Sequence, residues 1–232
     1  MSATASSTQI VPVGELRQSC AAGHPRKVAI VGGGPSRRKA PYADPSWEIW
    51  GFSSRAWRYP RVTRWFEIHA LTDLRQQLAG RRPGRRTFAG YMRFMASLNC
   101  PIYMQEPHPA LPQSVPFPFE QILETFGPCF TSTVSYLVAL AIVEEVDVIG
   151  LWGIDVRRKE YMRQKPALQY LLALARQRGI ELKIARESAL RVVDRPVYVT
   201  TRVLYAYDWR SPGAWWRARV RRRARRRQLG QS

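Results

Sequence analysis

Three short polar stretches stand where apolar runs end, and each carries residue types able to hold a ligand or move a proton. Val28, Ala29, Ile30 and Val31 run straight into Gly32, Gly33, Gly34, Pro35 and Ser36. A turn so poor in side chains lets a phosphate or a sugar approach the backbone, and a helical turn behind it would add amide donors. Thr131, Ser132 and Thr133 precede an apolar helical stretch in the manner of an N-cap. Gly153, Ile154 and Asp155 close the run 147–152. A fourth stretch, 64–69, reads Arg-Trp-Phe-Glu-Ile-His. Its period of two puts Glu67 and His69 on one side and Phe66 and Ile68 on the other. Glu67, His69 and Asp155 are therefore the candidates for a general base, the group that takes a proton from an attacking hydroxyl. Ser53, just past the run 47–52, joins the binding candidates. Arg64, Arg157, Arg158 and Arg163 are cations able to neutralise a diphosphate. His24, His69 and His108 have no metal-ligand spacing, and Cys20, Cys100 and Cys129 form no Cys-x-x-Cys pair, so no metal site is expected.

The elements that must position these residues alternate in type. Runs 27–31, 47–52, 62–68, 101–104, 147–152 and 181–185 read as strands from their β-branched and aromatic content. Stretches 73–78, 88–98, 132–143 and 166–178 read as helices, the last with Pro166 in its first turn and Gly179 beyond its end. Segment 107–118 holds five prolines and is expected to be an extended connection. Repeated strand–helix–strand units with short links predict an α/β fold, a single Rossmann-like domain with a mostly parallel sheet and helices on both faces. The expected domain spans 26–208, preceded by a tail over 1–25 and followed by an arginine-rich tail over 209–232.

Charge limits the partners. The chain has 232 residues with 37 Lys and Arg against 17 Asp and Glu, a formal net charge of +20. Arg217, Arg219, Arg221, Arg222, Arg223, Arg225, Arg226 and Arg227 contribute 8 of these charges, so +12 remains without them (20 less 8). Such an excess makes a polyanion the expected partner, DNA first, with the tail as its contact. Trp50, Trp57 and Trp65 are aromatic candidates for stacking on an extruded base. No run of eighteen apolar residues is present, the first residues do not read as a signal peptide, and three widely spaced cysteines suit reduced thiols; a cytoplasmic location is expected.

The order of these motifs resembles the family 42 sialyltransferases of bacteria. The quoted parts are "GGGPS" at 32–36, "TSTVSYLVALAIVEEVDVIGLWGID" at 131–155 and "RGIELKIARESAL" at 178–190. The resemblance covers roughly residues 27–191. Uncharacterised phage proteins share the layout, and Glu160 to Pro166 with Gln169 and Tyr170 is similar to their "EYxxQRP…EY" pattern. The family implies a nucleotide-sugar donor, with no tightly bound cofactor and no metal, held by Gly32, Gly33, Gly34, Pro35, Ser36, Ser53, Thr131, Ser132 and Gly153. Gly33 stands where that family has asparagine, and Thr133 where it has glycine. The family's histidine-bearing lid after Gly-Ile-Asp has no counterpart between Val156 and Lys165. The combined expectation is a metal-independent glycosyltransferase that uses a nucleotide sugar, UDP-linked as the first candidate. Its acceptor is expected to be DNA, such as a 5-hydroxymethylpyrimidine in phage-type genomes. Two other readings stand beside it: a non-catalytic Rossmann-like nucleic-acid-binding protein, and a glycosyltransferase on glycolipid whose Trp215, Trp216 and arginine tail lie on a membrane surface.

Overall fold

The computed structural model describes residues 24–52, 59–79, 87–156, 164–195 and 197–198. Seven strands form one sheet: β1 (Lys27–Val31), β2 (Trp47–Gly51), β3 (Arg64–Glu67), β4 (Ile102–Met104), β5 (Ser114–Pro116), β6 (Val148–Trp152) and β7 (Glu181–Ile184). Their order is β5-β4-β3-β2-β1-β6-β7, and every pair is parallel. Among the described residues the helices are α1 (Leu71–Ala79), α2 (Phe88–Ala96), α3 (Phe119–Phe126), α4 (Thr133–Val143) and α5 (Lys165–Gln177), with a 3₁₀ turn at Pro35–Lys39.

The apolar runs become central strands because a parallel strand is covered on both faces and has no polar side to show. Val28, Ala29, Ile30 and Val31 are all fully buried. One face of the sheet packs Val28, Ile30, Trp50, Phe66 and Ile68 against α3, α4 and α5. The other packs Trp65 and Ile102 against Leu74 and Leu78 of α1 and Tyr91 and Met95 of α2. α4 is buried all round, from Thr133 to Ile142, which is why its sequence shows no polar stripe. α5 shows the opposite pattern, burying Leu168, Leu171, Leu172 and Ala175 on one side only.

Two elements escape the sequence reading. β5 lies inside the proline-rich connection; it is a three-residue strand at the end of the sheet order, and such a position tolerates Pro116 because, among the described residues, no strand lies beyond it to need the missing N–H. α3 is short but strongly one-sided, burying Phe119, Ile122 and Phe126. Helix α3 has no side-chain N-cap bond, and Pro118 occupies that position, so the usual start signal is missing. Among the described residues every strand pair is parallel, in agreement with the expected α/β sheet.

The strand order reverses at β1: β2 to β5 lie on one side of it, β6 and β7 on the other. A doubly wound sheet opens a crevice at such a reversal, outside the carboxyl ends of its strands. Val31 pairs with Gly51 on one side and Trp152 on the other, and Gly51 pairs in turn with Trp65. Gly32 and Gly153 thus leave the sheet at one level, and Glu67 stands two residues beyond that row.

Candidate active site

The glycine turn is knitted to the turn after β6. Gly32 N donates to Trp152 O at 2.8 Å, and Gly34 N donates to Gly153 O at 2.9 Å. A Cβ on Gly32 would lie 2.5 Å from Gly153 O, and one on Gly34 would lie 2.5 Å from Asp155 Oδ2. Gly153 has φ +66°, a conformation that favours glycine. Two of the three glycines therefore serve close approach between loops of the protein itself. Gly33, by contrast, is exposed at the open edge.

Ser36 and Asp155 complete the clamp. The Ser36 hydroxyl donates to Asp155 Oδ1 at 2.5 Å and accepts from Gly153 N at 2.7 Å. Ser36 N donates to Asp155 Oδ2 at 3.4 Å. Both carboxylate oxygens are thus turned to one residue, the N-terminal part of the Pro35–Lys39 turn. The following residue, Val156, has φ +48°, an uncommon state for a β-branched side chain that costs on the order of 1–3 kcal/mol. Its surroundings hold it there: Ser188 Oγ donates to Ile154 O at 2.7 Å, and Ala189 N to Asp155 O at 2.9 Å. An ion pair between Lys39 and Glu187 ties the 3₁₀ turn to the same segment. Arg37 and Arg38 follow Ser36 directly, half-buried and exposed respectively, and supply positive charge beside the loop.

Helix α4 brings its N-terminus to this edge, as a helix returning between parallel strands must. Ser132 caps it: its Oγ accepts from Ser135 N at 3.3 Å, and Ser135 Oγ accepts from Ser132 N at 3.2 Å. This is a reciprocal capping box. Ser132 is buried in that role, while Thr131 is partly open and donates to Gln164 O at 3.4 Å. The amide ends and dipole of α4 favour negative charge in front of it.

The third group sits at the end of β3. Glu67 is wholly buried. Its Oε1 faces His69 Nδ1 and accepts from His69 N at 3.3 Å. Its Oε2 accepts from the Tyr91 hydroxyl of α2 at 2.7 Å, and Tyr91 Oη accepts from Trp65 Nε1 at 3.0 Å. Burial first, and the neighbouring Glu67 carboxylate second, push the Tyr91 phenol well above its ordinary value, so it remains a donor. The expected pairing of Glu67 with His69 is present as a direct contact. Strands lie about 4.8 Å apart, so the end of β3 stands roughly 10 Å across the edge from that of β1. That span suits a ligand the size of a nucleotide.

Other expected site residues stand elsewhere. Arg64 opens β3 level with Ile30 and Trp50, one residue before the strand ends Val31 and Gly51, and its guanidinium is taken up by an ion-pair cluster. There it binds Glu144 at 2.8 Å and Glu48 at 3.2 Å, and Arg26 completes the cluster at 2.5 Å from Glu144 and 2.6 Å from Glu48. Its guanidinium also lies over the Trp50 ring, 5.0 Å from the centroid. Trp50 and Trp65 are fully buried in the core and cannot stack on an extruded base. Ser53, Trp57, Arg157, Arg158, Glu160, Arg163 and the arginines at 217–227 lie outside the described residues. Among the described residues no group of three His, Cys, Asp or Glu is placed to hold a metal ion, and no helix is long and apolar enough to cross a membrane. Sequence reasoning missed Tyr91, because no local pattern links α2 to the end of β3. It also left open the Ser36–Asp155 bond, for which strand-end position was the only signal.

No family model and no curated protein matches the chain. Among solved structures it is similar to the sialyltransferase CstII from Campylobacter jejuni in complex with cytidine-5'-monophosphate, at 16% identity and a TM-score of 0.49, covering 78% of this chain and 89% of that one. The CstII complex with CMP-3FNeuAc is similar at 16% identity and a TM-score of 0.47, covering 77% and 89%. The complex with a trisaccharide acceptor and CMP is similar at 14% identity and a TM-score of 0.45, covering 82% and 99%.

Proposed function

We propose that this protein is a nucleotide-sugar-dependent glycosyltransferase whose acceptor is DNA. The observation that carries the reading is a pairing on one sheet edge. A clamped glycine turn stands at the reversal of strand order, and a buried carboxylate bonded to a histidine stands two strands away. The first half suits a donor: exposed Gly33, the cations Arg37 and Arg38 and the amino end of α4 offer room and positive potential to a phosphate. The second half suits an acceptor hydroxyl that must lose its proton as it attacks the sugar. Motif order in the sequence, similar to a family that uses nucleotide sugars, agrees with this division.

DNA as acceptor is supported by the net charge of +20 and by eight arginines in eleven residues at 217–227. A 5-hydroxymethyl group on a pyrimidine projects into the major groove, at the place of the thymine methyl, so its hydroxyl is reachable there. The test is mass spectrometry of nucleosides from hydroxymethylated DNA incubated with the protein and a panel of UDP- and CMP-linked sugars. A sugar-sized mass gain on one nucleoside supports the full reading. Transfer to a glycan or glycolipid, with DNA unmodified, keeps the transferase and removes the DNA acceptor. Tight DNA binding with no transfer from any donor points to a binding protein instead.

A further inference from the structure

We infer that Arg37 is the residue that binds the leaving phosphate of the nucleotide-sugar donor and takes up its charge during transfer. This rests on the glycosyltransferase reading of the same edge. Four described arginines are half-buried: Arg26, Arg37, Arg61 and Arg64. Three of them spend their donors inside the protein. Arg26 and Arg64 pair with Glu48 and Glu144, and Arg61 donates to the carbonyls of Tyr42, Asp44 and Trp47. The Arg37 guanidinium has no hydrogen-bond or ion-pair partner among the described residues. A guanidinium carries five N–H donors and no acceptor, and polar groups withdrawn from water are ordinarily bonded. An open fork of this kind is complementary to the paired oxygens of a phosphate.

The clamp fixes its position. Ser36, the residue before it, is bonded to Asp155 and Gly153, and Lys39, two residues on, pairs with Glu187. The Arg37 backbone donates to Gly34 O and accepts from Ala40 N, both at 3.2 Å. Its Cβ stands against Gly153, 3.0 Å from where a Cβ on that glycine would lie. Both oxygens of the clamp carboxylate, Asp155, are turned to Ser36 rather than to Arg37. Tyr59 Oη donates to the carbonyl of Val31, the last residue of β1, at 3.0 Å, and its ring meets that of Tyr42 edge-on. Burial raises both phenols, the Tyr59 one further through Tyr42, and the Arg37 charge opposes the rise in each. The guanidinium thus acts at the carboxyl end of β1, where the strand order reverses. A duplex reaches the exposed Arg38 more readily than the half-buried Arg37, which suits the smaller ligand of the crevice. In the step itself the acceptor oxygen bonds to the anomeric carbon as the bond from that carbon to the donor phosphate oxygen breaks. The electron pair stays on that oxygen, so the nucleotide phosphate gains a negative charge, and the acceptor's proton passes through a base to solvent. A fixed cation where this charge develops lowers the barrier.

The test compares wild type with Arg37→Gln, Arg37→Lys and Arg178→Gln, the last an exposed cation at the end of α5. Calorimetry with UDP, CMP, uridine and cytidine reads the phosphate contact, and DNA affinity is measured alongside. Arg37→Gln should bind the preferred nucleotide about tenfold more weakly and the matching nucleoside as wild type does. In steady-state transfer its kcat should fall by roughly 10²–10³. Arg37→Lys should recover part of both losses, because it keeps the charge and lacks the fork. Arg178→Gln, with the same change of charge, should match wild type in both. Thermal melts of Arg37→Gln should match wild type, since no bond is broken; a lowered melting temperature would reveal an internal partner and overturn the assignment. Unchanged nucleotide affinity and kcat in Arg37→Gln overturn it too. Weaker DNA binding with nucleotide binding intact would instead place Arg37 on the DNA backbone; in each of these cases the transferase reading stands. A wild-type protein that binds no nucleotide and transfers no sugar overturns the transferase reading, and this assignment with it.

Discussion

Ser36 and Asp155, 119 positions apart in the chain, are joined by a 2.5 Å hydrogen bond that locks the loop after β1 to the loop after β6. The same serine oxygen receives the amide of Gly153. Hydrogen bonds to a charged group contribute about 1.5–3 kcal/mol, more than a neutral pair. Ser36→Ala and Asp155→Asn should each lower the melting temperature by roughly 5 °C in a chain of this size. The double variant should cost less than the two together, because each single change already breaks the shared bond. Thermal melts of the four proteins test this; additive losses would show that the two residues act separately.

The three glycines should separate into two kinds. Gly32→Ala and Gly34→Ala drive a Cβ into Gly153 O and the Asp155 carboxylate, so both should destabilise by about 1–3 kcal/mol through forced backbone shifts. Gly33 is exposed, so Gly33→Asp should leave stability within about 0.5 kcal/mol of wild type. Its carboxylate would repel a phosphate at the open edge, so binding of UDP and CMP, followed by calorimetry, should be lost. Unchanged nucleotide binding in Gly33→Asp would remove this loop from the donor site.

The Arg26–Glu48–Arg64–Glu144 cluster should govern stability and leave ligand binding alone. The Glu144 side chain is 4% exposed and that of Arg64 12%, so removing one partner strands a buried charge and costs about 3–5 kcal/mol. Arg64→Met should lower the unfolding free energy read from a urea titration by that amount, with unchanged donor affinity well below the transition. The cluster also sets an acid limb. Burial acts to raise the Glu48 carboxyl, but Arg26 and Arg64 outweigh it and hold it below the ordinary value of 4.5. The unfolded state then binds more protons than the folded one as pH falls below 4.5, so this contribution is present above that pH and lost through the folded value. Wild type should lose stability steeply in that range, and Glu48→Gln should flatten the slope.

The buried thiols should be silent in the native protein. Burial pushes Cys100 up to about 11 and Cys129 up to about 12, so neither is a thiolate at neutral pH. Unfolding frees both to ionise nearer 9, so stability should fall as pH rises above 9. Alkylation followed by peptide mass spectrometry should mark Cys100 and Cys129 only after denaturant is added.

The arginine tail should dominate the salt dependence of DNA binding. Each phosphate neutralised on duplex DNA contributes about −0.9 to the slope of log K against log salt. Deleting residues 217–232 removes eight arginines and should flatten that slope by several units, weakening binding to all sequences alike. Transfer at saturating DNA should persist, because Gly33, Glu67 and His69 belong to the sheet edge. An unchanged slope would show that the tail does not touch DNA.

The sequence by itself determined the frame. The runs 27–31 and 147–152 read as strands because parallel strands buried on two faces must be apolar along their length, and α4 read as a core helix for the same reason. It also placed Glu67 and His69 on one side of β3, since period two is a local property of an extended chain. The edge strand β5 and the helix α3 lay below that resolution: one is three residues among prolines, the other starts without a capping side chain. Only the tertiary structure decided which polar residues meet. Tyr91 reaches Glu67 across 24 positions because α2 packs on the β3 face that carries Trp65. Asp155 serves Ser36 because the chain reverses its strand order at β1, bringing two distant loops side by side. Arg64 is withdrawn from the site because packing brings Glu48 and Glu144 against its guanidinium. Periodicity reports the face on which a side chain lies; its partner depends on which elements the packing brings against that face.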